Sequence, residues 1–327
     1  MPTQFTIGFS THRPESLPYA RAEMARHQAI VLEEPPSPTL LQVLQGTAAV
    51  EDYLGELDAE FPEFGRQQLA ILQDLWQQGR TILQVEPYLE RLVEIHELFA
   101  QELTPEAVRA RSHLREVYDM EREVTAALLR FYEISLQAPF PEVVAAVQEF
   151  ARRDAARFRL RDRMRAAALA DLTGRFETIY VETGHMHLTL PLELRRRLNG
   201  RGKVRARFLL GSVARQRARK PRIFGPGDEL TFAYLRQRPL PPETAALLAA
   251  RSLIYIKVLG KEELPASASP TPHLDEEIRL SALMCRLSYD DCARLYPLLK
   301  QASPAQAEKI LSRYLTETES AAQSENT

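Results

Sequence analysis

Imidazole and carboxylate side chains follow four segments of the chain that have the pattern of short buried β-strands. His12 follows the first segment, Glu33 the second and Glu86 the third, while His185 and His187 follow the fourth. In an open parallel α/β sheet, ligands bind outside the carboxyl ends of the strands. We therefore expect these side chains to meet in one crevice, where they would bind a metal ion or act as general acids and bases.

The segment 184–187, with the sequence Gly-His-Met-His, carries the strongest of these signals. Two imidazoles lie two residues apart directly after a glycine, which lets the backbone approach a ligand closely. A single histidine or glutamate at a strand end is more often a cap or a loop hydrogen-bonding group, so the prediction depends on the combination. We predict a site for one divalent metal ion, zinc, manganese or iron, with the ligands His12, Glu33, His185 and His187.

A long helix predicted over residues 142–172 carries charged residues on its apolar stripe. Asp154, Arg161 and Arg165 lie on this stripe at helical spacing. We predict that Arg161, together with Asp154 or Asp162, lines the crevice; the alternative is an interhelical salt-bridge network on a partly solvated helix face. For Asp154 and Arg165 we favour the second interpretation, because Asp and Arg at helical spacing commonly form ion pairs on surfaces.

The strand-like segments alternate with helical patterns along the chain. The predicted strands cover residues 5–9, 29–32, 81–85, 177–182 and 204–210. Strands that alternate with helices indicate βαβ units and a parallel sheet. The predicted fold class is therefore α/β, with a mainly parallel sheet core, a large helical insertion and a helical C-terminal region.

The predicted domain organisation follows from the same pattern. An α/β domain covers residues 1–212 and contains the helical insertion at about 88–172. A helical region covers 213–315, with a proline-rich linker at 265–272, and a polar tail at 316–327 is predicted to be disordered.

Four segments of the chain resemble, in their order, motifs of the TraB/Tiki superfamily, which is related to the erythromycin-esterase-like and ChaN-like proteins. They are 6–12 (TIGFSTH), 30–33 (IVLE), 161–166 (RDRMRA) and 179–188 (IYVETGHMHL). Residues 184–187 match the Gly-x-x-His motif as written. The first motif differs, because three residues separate Gly8 from His12. This spacing is closer to the esterase-like Gly-Glu-x-Thr-His, with Phe9 in place of the glutamate.

The resemblance covers about residues 4–210 and implies a metal-dependent protease, an esterase, or a protein that binds metal or haem. It implies His12, Glu33 and His187 as ligands, and Arg161 and Asp162 match the Arg-Asp pair that precedes the last motif.

The sequence therefore leads to an enzyme hypothesis: a metal-dependent hydrolase of ester or peptide bonds, acting on a small-molecule or peptide substrate. The metal would activate a bound water, Glu33 or Glu86 would take its proton, and Arg161 would stabilise the oxyanion. The alternative is a non-catalytic protein that binds metal, haem or an anionic ligand at the same strand ends.

A basic run, Arg195 to Arg222, contains 12 Lys and Arg residues and no Asp or Glu. Such a run is typical of a polyanion site, and a nucleic-acid-associated protein is the third hypothesis. The alternative is a surface that pairs with an acidic partner or with the acidic N-terminal half, in which residues 1–150 carry 11 basic and 24 acidic side chains. Neither a Walker A loop nor a Gly-x-Gly-x-x-Gly motif is present, which argues against nucleotide chemistry.

Composition narrows the class of protein. Of the 327 residues, 45% are hydrophobic and 26% are charged, which is typical of a folded globular chain. The two cysteines, Cys285 and Cys292, are too few for a Cys-based zinc site or a disulfide framework. No apolar stretch is long enough for a membrane helix and no secretory signal is visible, so we expect a cytoplasmic protein.

Overall fold

The computed structural model of the chain describes residues 2–57, 61–238, 240–260, 262–264 and 269–325, without the side chains of 319 and 321–325. The chain divides into two compact units. The sheet unit comprises Met1–Glu123, Ala155–Arg222 and Pro265–His273, and the helical unit comprises Val124–Asp154, Ile223–Leu264 and Leu274–Thr327. This division differs from the contiguous one that we predicted, because residues 124–154 of the expected insertion belong to the helical unit.

The sheet unit is built around five parallel strands. They are β1 (Thr3–Ser10), β2 (Ala29–Leu32), β3 (Thr81–Gln84), β4 (Thr178–Gly184) and β5 (Gly202–Phe208). Their order across the sheet is β3-β2-β4-β1-β5, and every neighbouring pair is parallel. The predicted α/β class with a parallel sheet core is therefore confirmed.

Strands β2 and β4 are apolar on both faces because helices cover both faces of the sheet. All four residues of β2 are buried, as are residues 179–183 of β4. Ile30, Leu32 and Tyr180 pack on one face, whereas Val31, Ile179 and Val181 pack on the other. Burial on both faces explains the continuous apolar runs that predicted these strands.

The ten α-helices that begin before residue 222 carry residues of the sheet unit in the described part of the chain. They are α1 (Leu17–Met24), α2 (Pro38–Leu44), α3 (Val50–Glu56), α4 (Pro62–Gln77), α5 (Pro87–Ala100), α6 (Pro105–Ala110), α7 (Arg115–Ser135), α8 (Phe140–Ala170), α9 (Leu190–Leu198) and α10 (Gly211–Ala218). Helices α7 and α8 run from one unit into the other. Thr104 caps α6, as the Thr-Pro sequence predicts, because its hydroxyl accepts a hydrogen bond from the backbone N–H of Ala107.

The helical unit continues with α11 (Pro226–Leu235), α12 (Pro242–Val258), α13 (Pro272–Cys285), α14 (Tyr289–Leu299) and α15 (Pro304–Glu325). One apolar cluster joins α12, α14 and α15 to the first half of α8. Helix α15 includes residues 316–325, which we expected to be disordered, and 326–327 lie outside the described residues. Within the predicted linker, 265–268 also lie outside them. No helix in the described ranges is long and apolar enough to span a membrane.

Candidate functional site

The strand order brings the predicted site residues to one edge of the sheet. Strands β3, β2, β4 and β1 are consecutive neighbours, so the residues that follow them lie side by side. The position that a Cβ atom would take at Gly184 lies 3.5 Å from Cε1 of His12, 3.6 Å from Oε2 of Glu33 and 3.7 Å from Cδ2 of His187. Three of the predicted residues therefore surround a single point at the end of β4.

His12 is held in an unusual backbone conformation at the end of β1. Its φ angle is 52°, in the left-handed region that residues other than glycine adopt uncommonly. The Ser10 hydroxyl accepts the N–H of His12 at 2.9 Å. The Ser16 hydroxyl donates its one hydrogen to the carbonyl of Arg13 at 2.7 Å. In the contact of 3.1 Å between the two serine hydroxyls, Ser10 is therefore the donor. This chain of hydrogen bonds fixes the turn that directs the His12 imidazole.

His187 lies between two carboxylates. Its Nδ1 atom is 2.5 Å from Oδ1 of Asp162, and its Nε2 atom is 2.7 Å from Oε1 of Glu33. Both ring nitrogens must donate to make these two bonds, which requires an imidazolium. Burial lowers the pKa of His187, but Glu33 and Asp162 together raise it to about 9. His187 is therefore a fixed positive charge at neutral pH.

Glu33 is the common partner of the surrounding positive groups. It accepts hydrogen bonds from the backbone N–H of Gly184 at 2.5 Å and from Nη2 of Arg161 at 3.2 Å, and Nη1 of Arg165 lies 3.6 Å away. Burial alone would raise the pKa of Glu33, but the charge and hydrogen bond of His187, followed by the two arginines, hold it well below its usual range. Glu33 stays ionised and is a weak base, contrary to the predicted role.

Arg165 is completely buried, so its interpretation as a surface charge is wrong. Its guanidinium donates to the carbonyl of Val85 at 2.9 Å, to the carbonyl of Glu182 at 2.8 Å and to the hydroxyl of Thr183 at 3.3 Å. These partners follow or belong to β3 and β4. Arg165 therefore ties the strand ends together beneath the site.

Glu86 occupies the gap between the two arginines of α8. Its carboxylate lies 3.6 Å from Nε of Arg161 and 3.6 Å from Nε of Arg165. Neither oxygen has a hydrogen-bond partner among the described residues, and the side chain is buried. Arg161 thus contacts both Glu33 and Glu86, and Glu86 balances its charge instead of facing the cavity.

Asp162 supports His187 from below. It accepts hydrogen bonds from both the backbone N–H and the hydroxyl of Thr189, at 3.0 Å and 2.5 Å. Its side chain is fully buried. Asp162 therefore does not line the crevice, in contrast to the prediction. Asp162 therefore positions His187.

A cavity of about 250 Å³ opens beside His12 and Glu33. Its described polar lining is His12, Glu33, Glu34, Tyr53, Gln68 and Glu182, and its apolar lining includes Leu54, Leu57, Phe61, Phe64 and Leu69. None of the described lining residues is Lys or Arg. The cavity offers an apolar wall and a group of carboxyl groups to a small ligand or to the end of a longer one.

Three carboxyl groups share this cavity, and their protonation states differ. Burial, followed by repulsion from Glu34 and Glu33, raises the pKa of Glu182 to about 8. Burial also raises the pKa of Glu34, although Tyr53 and Gln84 donate hydrogen bonds to it. At neutral pH, Glu182 is therefore a neutral acid beside the ionised Glu33.

His12 supplies the cavity with an unprotonated imidazole. Burial lowers its pKa, and this effect exceeds the opposing attraction of Glu33. Electrostatic repulsion from His185, His187 and Arg165 lowers the pKa of His12 further. Of the two histidines of the 184–187 segment, His187 holds Glu33, while His185 is near enough to influence His12 electrostatically.

Sequence reasoning missed Glu182, Tyr53 and Gln68 as residues of the cavity. Glu182 carried a usable signal, because it interrupts an otherwise apolar strand whose neighbours are buried. Tyr53 and Gln68 had none, since they reach the site from α3 and α4, whose positions depend on tertiary packing.

The predicted metal ligands do not fit a metal centre in this arrangement. Both nitrogens of His187 are engaged by carboxylates, and Glu33 is held by two guanidinium groups and a backbone amide. Among the described residues, no group of three or more His, Cys, Asp or Glu side chains could hold a metal ion.

The chain is 30% identical over 291 residues to an uncharacterized protein of Archaeoglobus fulgidus; the match covers 89% of this chain and 97% of the archaeal protein. Comparisons with protein-family models and with solved structures gave no match. The chain belongs to the same family as the archaeal protein.

Proposed function

We propose that this member of the family is a hydrolase of ester or peptide bonds that works by acid–base catalysis at the carboxyl ends of the sheet. One observation carries the proposal: a single cavity is lined by the neutral imidazole of His12 and the neutral carboxyl group of Glu182. A base and an acid whose pKa values are shifted into their working forms are what acyl transfer to water requires.

His12 is the proposed general base. Its imidazole takes a proton from a water molecule as the water oxygen bonds to the carbonyl carbon of the substrate. Glu33 is ionised and near enough to act on the pKa of His12, so it stabilises the imidazolium that forms. The proton then passes from His12 to the leaving alcohol or amine as the bond to the carbonyl carbon breaks.

Glu182 is the proposed donor to the carbonyl oxygen. A neutral carboxylic acid donates a hydrogen bond that strengthens as negative charge develops on that oxygen. This role replaces the one predicted for Arg161, whose guanidinium is engaged with Glu33 and Glu86. Arg161, Arg165 and His187 instead keep Glu33 ionised and in place.

The resemblance to the esterase-like proteins supports the same chemistry. Their Gly-Glu-x-Thr-His motif has a glutamate near the histidine, and Phe9 stands at that position here. In this fold, Glu33 follows β2 and lies beside His12, so a carboxylate from another part of the chain is near the imidazole. From the sequence, we further propose a cytoplasmic enzyme that acts on a small-molecule or peptide substrate.

The test is hydrolysis of a panel of p-nitrophenyl esters and aminoacyl p-nitroanilides by protein dialysed against a chelator. We expect activity that survives chelation and falls at least about 100-fold in His12→Ala, since general bases contribute at least that much. His113→Ala is the matched control, because His113 is exposed and pairs with Glu94.

Two results would contradict this proposal. Activity that disappears on dialysis and returns with zinc, manganese or iron would support the metal-dependent hydrolase predicted from the sequence. A wild-type protein that hydrolyses none of the substrates but binds metal or haem would support the non-catalytic alternative.

A further inference from the structure

One edge of the sheet carries a basic surface that the proposed reaction does not use. Strand β5 is the edge strand, next to β1. Val204 and Phe208 pack against the apolar core, whereas Lys203, Arg205 and Arg207 are exposed. The alternation of the strand therefore places three positive charges in a row on one face.

Two further arginines extend this row of charges. Arg26, which follows α1, and Arg215 of α10 line a groove of about 360 Å³ together with Arg207 of β5. Arg26 and Arg215 are both exposed. We call Arg26, Lys203, Arg205, Arg207 and Arg215 the basic edge.

The basic edge has few counter-charges. Residues 195–222, which supply four of its five members, contain 12 Lys and Arg and no Asp or Glu. Glu23 of α1 is shared by two members of the edge, at 3.4 Å from Nη1 of Arg26 and 3.6 Å from Nε of Arg207. One carboxylate between two guanidinium groups leaves an excess of positive charge, which is the footprint of an anionic partner.

We propose that the basic edge binds the phosphate backbone of single-stranded nucleic acid without sequence preference. Alternate residues of a strand are about 6.6 Å apart, which is comparable with the spacing of phosphates along an extended single strand. Positive grooves that follow the backbone are the usual device for such binding, and arginine pairs with phosphate through two parallel hydrogen bonds.

An exposed aromatic side chain of the groove fits the same ligand. Tyr19 lines the groove with an exposed fraction of 37%. Exposed aromatic rings accept unpaired bases by stacking, whatever the base. The proposal is independent of the hydrolase proposal, because none of these residues lines the cavity beside His12.

The experiment is fluorescence anisotropy of a labelled oligo(dT) of about 15 nucleotides, titrated with full-length protein at about 50 to 200 mM salt. The test variant is Lys203→Gln/Arg205→Gln/Arg207→Gln. The matched control, Arg109→Gln/Arg115→Gln/Arg122→Gln, removes the same charge from exposed positions on α6 and α7.

We expect wild type and control to bind alike and the test variant to bind at least about tenfold more weakly at low salt. Its plot of log affinity against log salt should be shallower by about 2, because each phosphate that the protein no longer neutralises reduces the slope by about 0.7. Equal weakening in the control, or no binding by wild type, would overturn the proposal. So would competition by poly-glutamate as strong as that by unlabelled oligo(dT), because it would indicate an acidic protein partner. If the test variant does not fold, Arg215→Gln alone should reduce affinity and slope.

Discussion

Gln68 of α4 donates a hydrogen bond from its side-chain amide to Oε1 of Glu182 of β4, and both side chains are buried. Because Oε1 accepts this bond, the proton of the neutral Glu182 resides on Oε2. The helix that forms one wall of the cavity therefore also sets the direction in which Glu182 donates.

This relationship predicts a bell-shaped dependence of hydrolysis on pH. The pKa of His12 lies below 6.5, so activity should rise as His12 loses its proton in that range. The pKa of Glu182 is about 8, so activity should fall as the pH passes that value. Glu182→Gln still donates a hydrogen bond but does not titrate, so it should retain activity, about tenfold reduced, without the alkaline decline. Rates measured across the pH range check this, and an unchanged decline would exclude Glu182 as its cause.

His187 should stabilise the fold in a pH-dependent way. Its pKa is raised from 6.5 to about 9 in the folded chain, so its contribution is fully present below about pH 6.5 and is lost as the pH rises through 9. His187→Gln removes the cation that lies between Glu33 and Asp162, and we expect the free energy of unfolding to fall by about 3–5 kcal/mol near pH 6. Urea unfolding at pH 6 and pH 10 should show a smaller difference from wild type at the higher pH. His113→Gln is the control, and a difference independent of pH would contradict an imidazolium at 187.

Arg165→Lys should destabilise the protein far more than Arg163→Lys on the same helix. Arg165 is buried and uses its planar fork on three partners, which an ammonium group cannot reproduce. Arg163 is exposed and pairs with Glu116. We expect the free energy of unfolding, measured with urea, to fall by about 3 kcal/mol for Arg165→Lys and by less than about 0.5 kcal/mol for Arg163→Lys. Equal losses would mean that Arg165 does not tie the strand ends.

Gly8→Ala should be costly because Tyr180 occupies the space above Gly8. A Cβ atom there would lie 2.5 Å from Cζ of the Tyr180 ring and closer still to its hydroxyl oxygen. We expect a loss of about 3 kcal/mol from overpacking in thermal or urea unfolding. Tyr180→Leu should recover part of this loss in the double variant; additive losses would contradict a direct clash.

The hydroxyl of Tyr180 should contribute nothing to stability. It is buried and has no hydrogen-bond partner among the described residues. Tyr180→Phe removes a polar group that gained nothing on folding, so we expect equal or greater stability than wild type. A loss above about 1 kcal/mol would show that the hydroxyl has a partner, such as a bound water.

The sequence predicted which side chains follow neighbouring strands, but not the protonation states of these side chains. The apolar pattern located β2 at its observed residues, 29–32. The positions of His12, Glu33 and His187 after predicted strands indicated that these side chains meet, and they lie close together in the fold. Protonation states depend on which charges meet across long stretches of chain. Arg161 and Glu33, for example, are separated by 128 residues, and no local pattern contains this contact.

The arginines of α8 also show that a local pattern does not reveal the contacts of a side chain. Helical spacing identified Arg161 and Arg165 as members of one stripe, and that spacing is equally consistent with a solvated face. The deciding feature is that the strand ends present carbonyls and carboxylates to this stripe, so charged groups are buried where apolar ones would be expected. The sequence predicted a helical C-terminal region, but not that residues 124–154 belong to the same unit, because this grouping joins the middle of the chain to its end.

The place of β4 between β2 and β1 has a consequence for how the chain is made. The ribosome synthesises β1, β2 and β3 well before β4. Among the described strands, β1 pairs only with β4 and β5, and β4 lies between β2 and β1. Before residue 184 has emerged, β2 with β3 is the one neighbouring pair of the described sheet that can form, and the apolar β1 has neither of its partners. Pairing across such sequence distances is slow, so we expect apolar surface to stay exposed in the emerging N-terminal half.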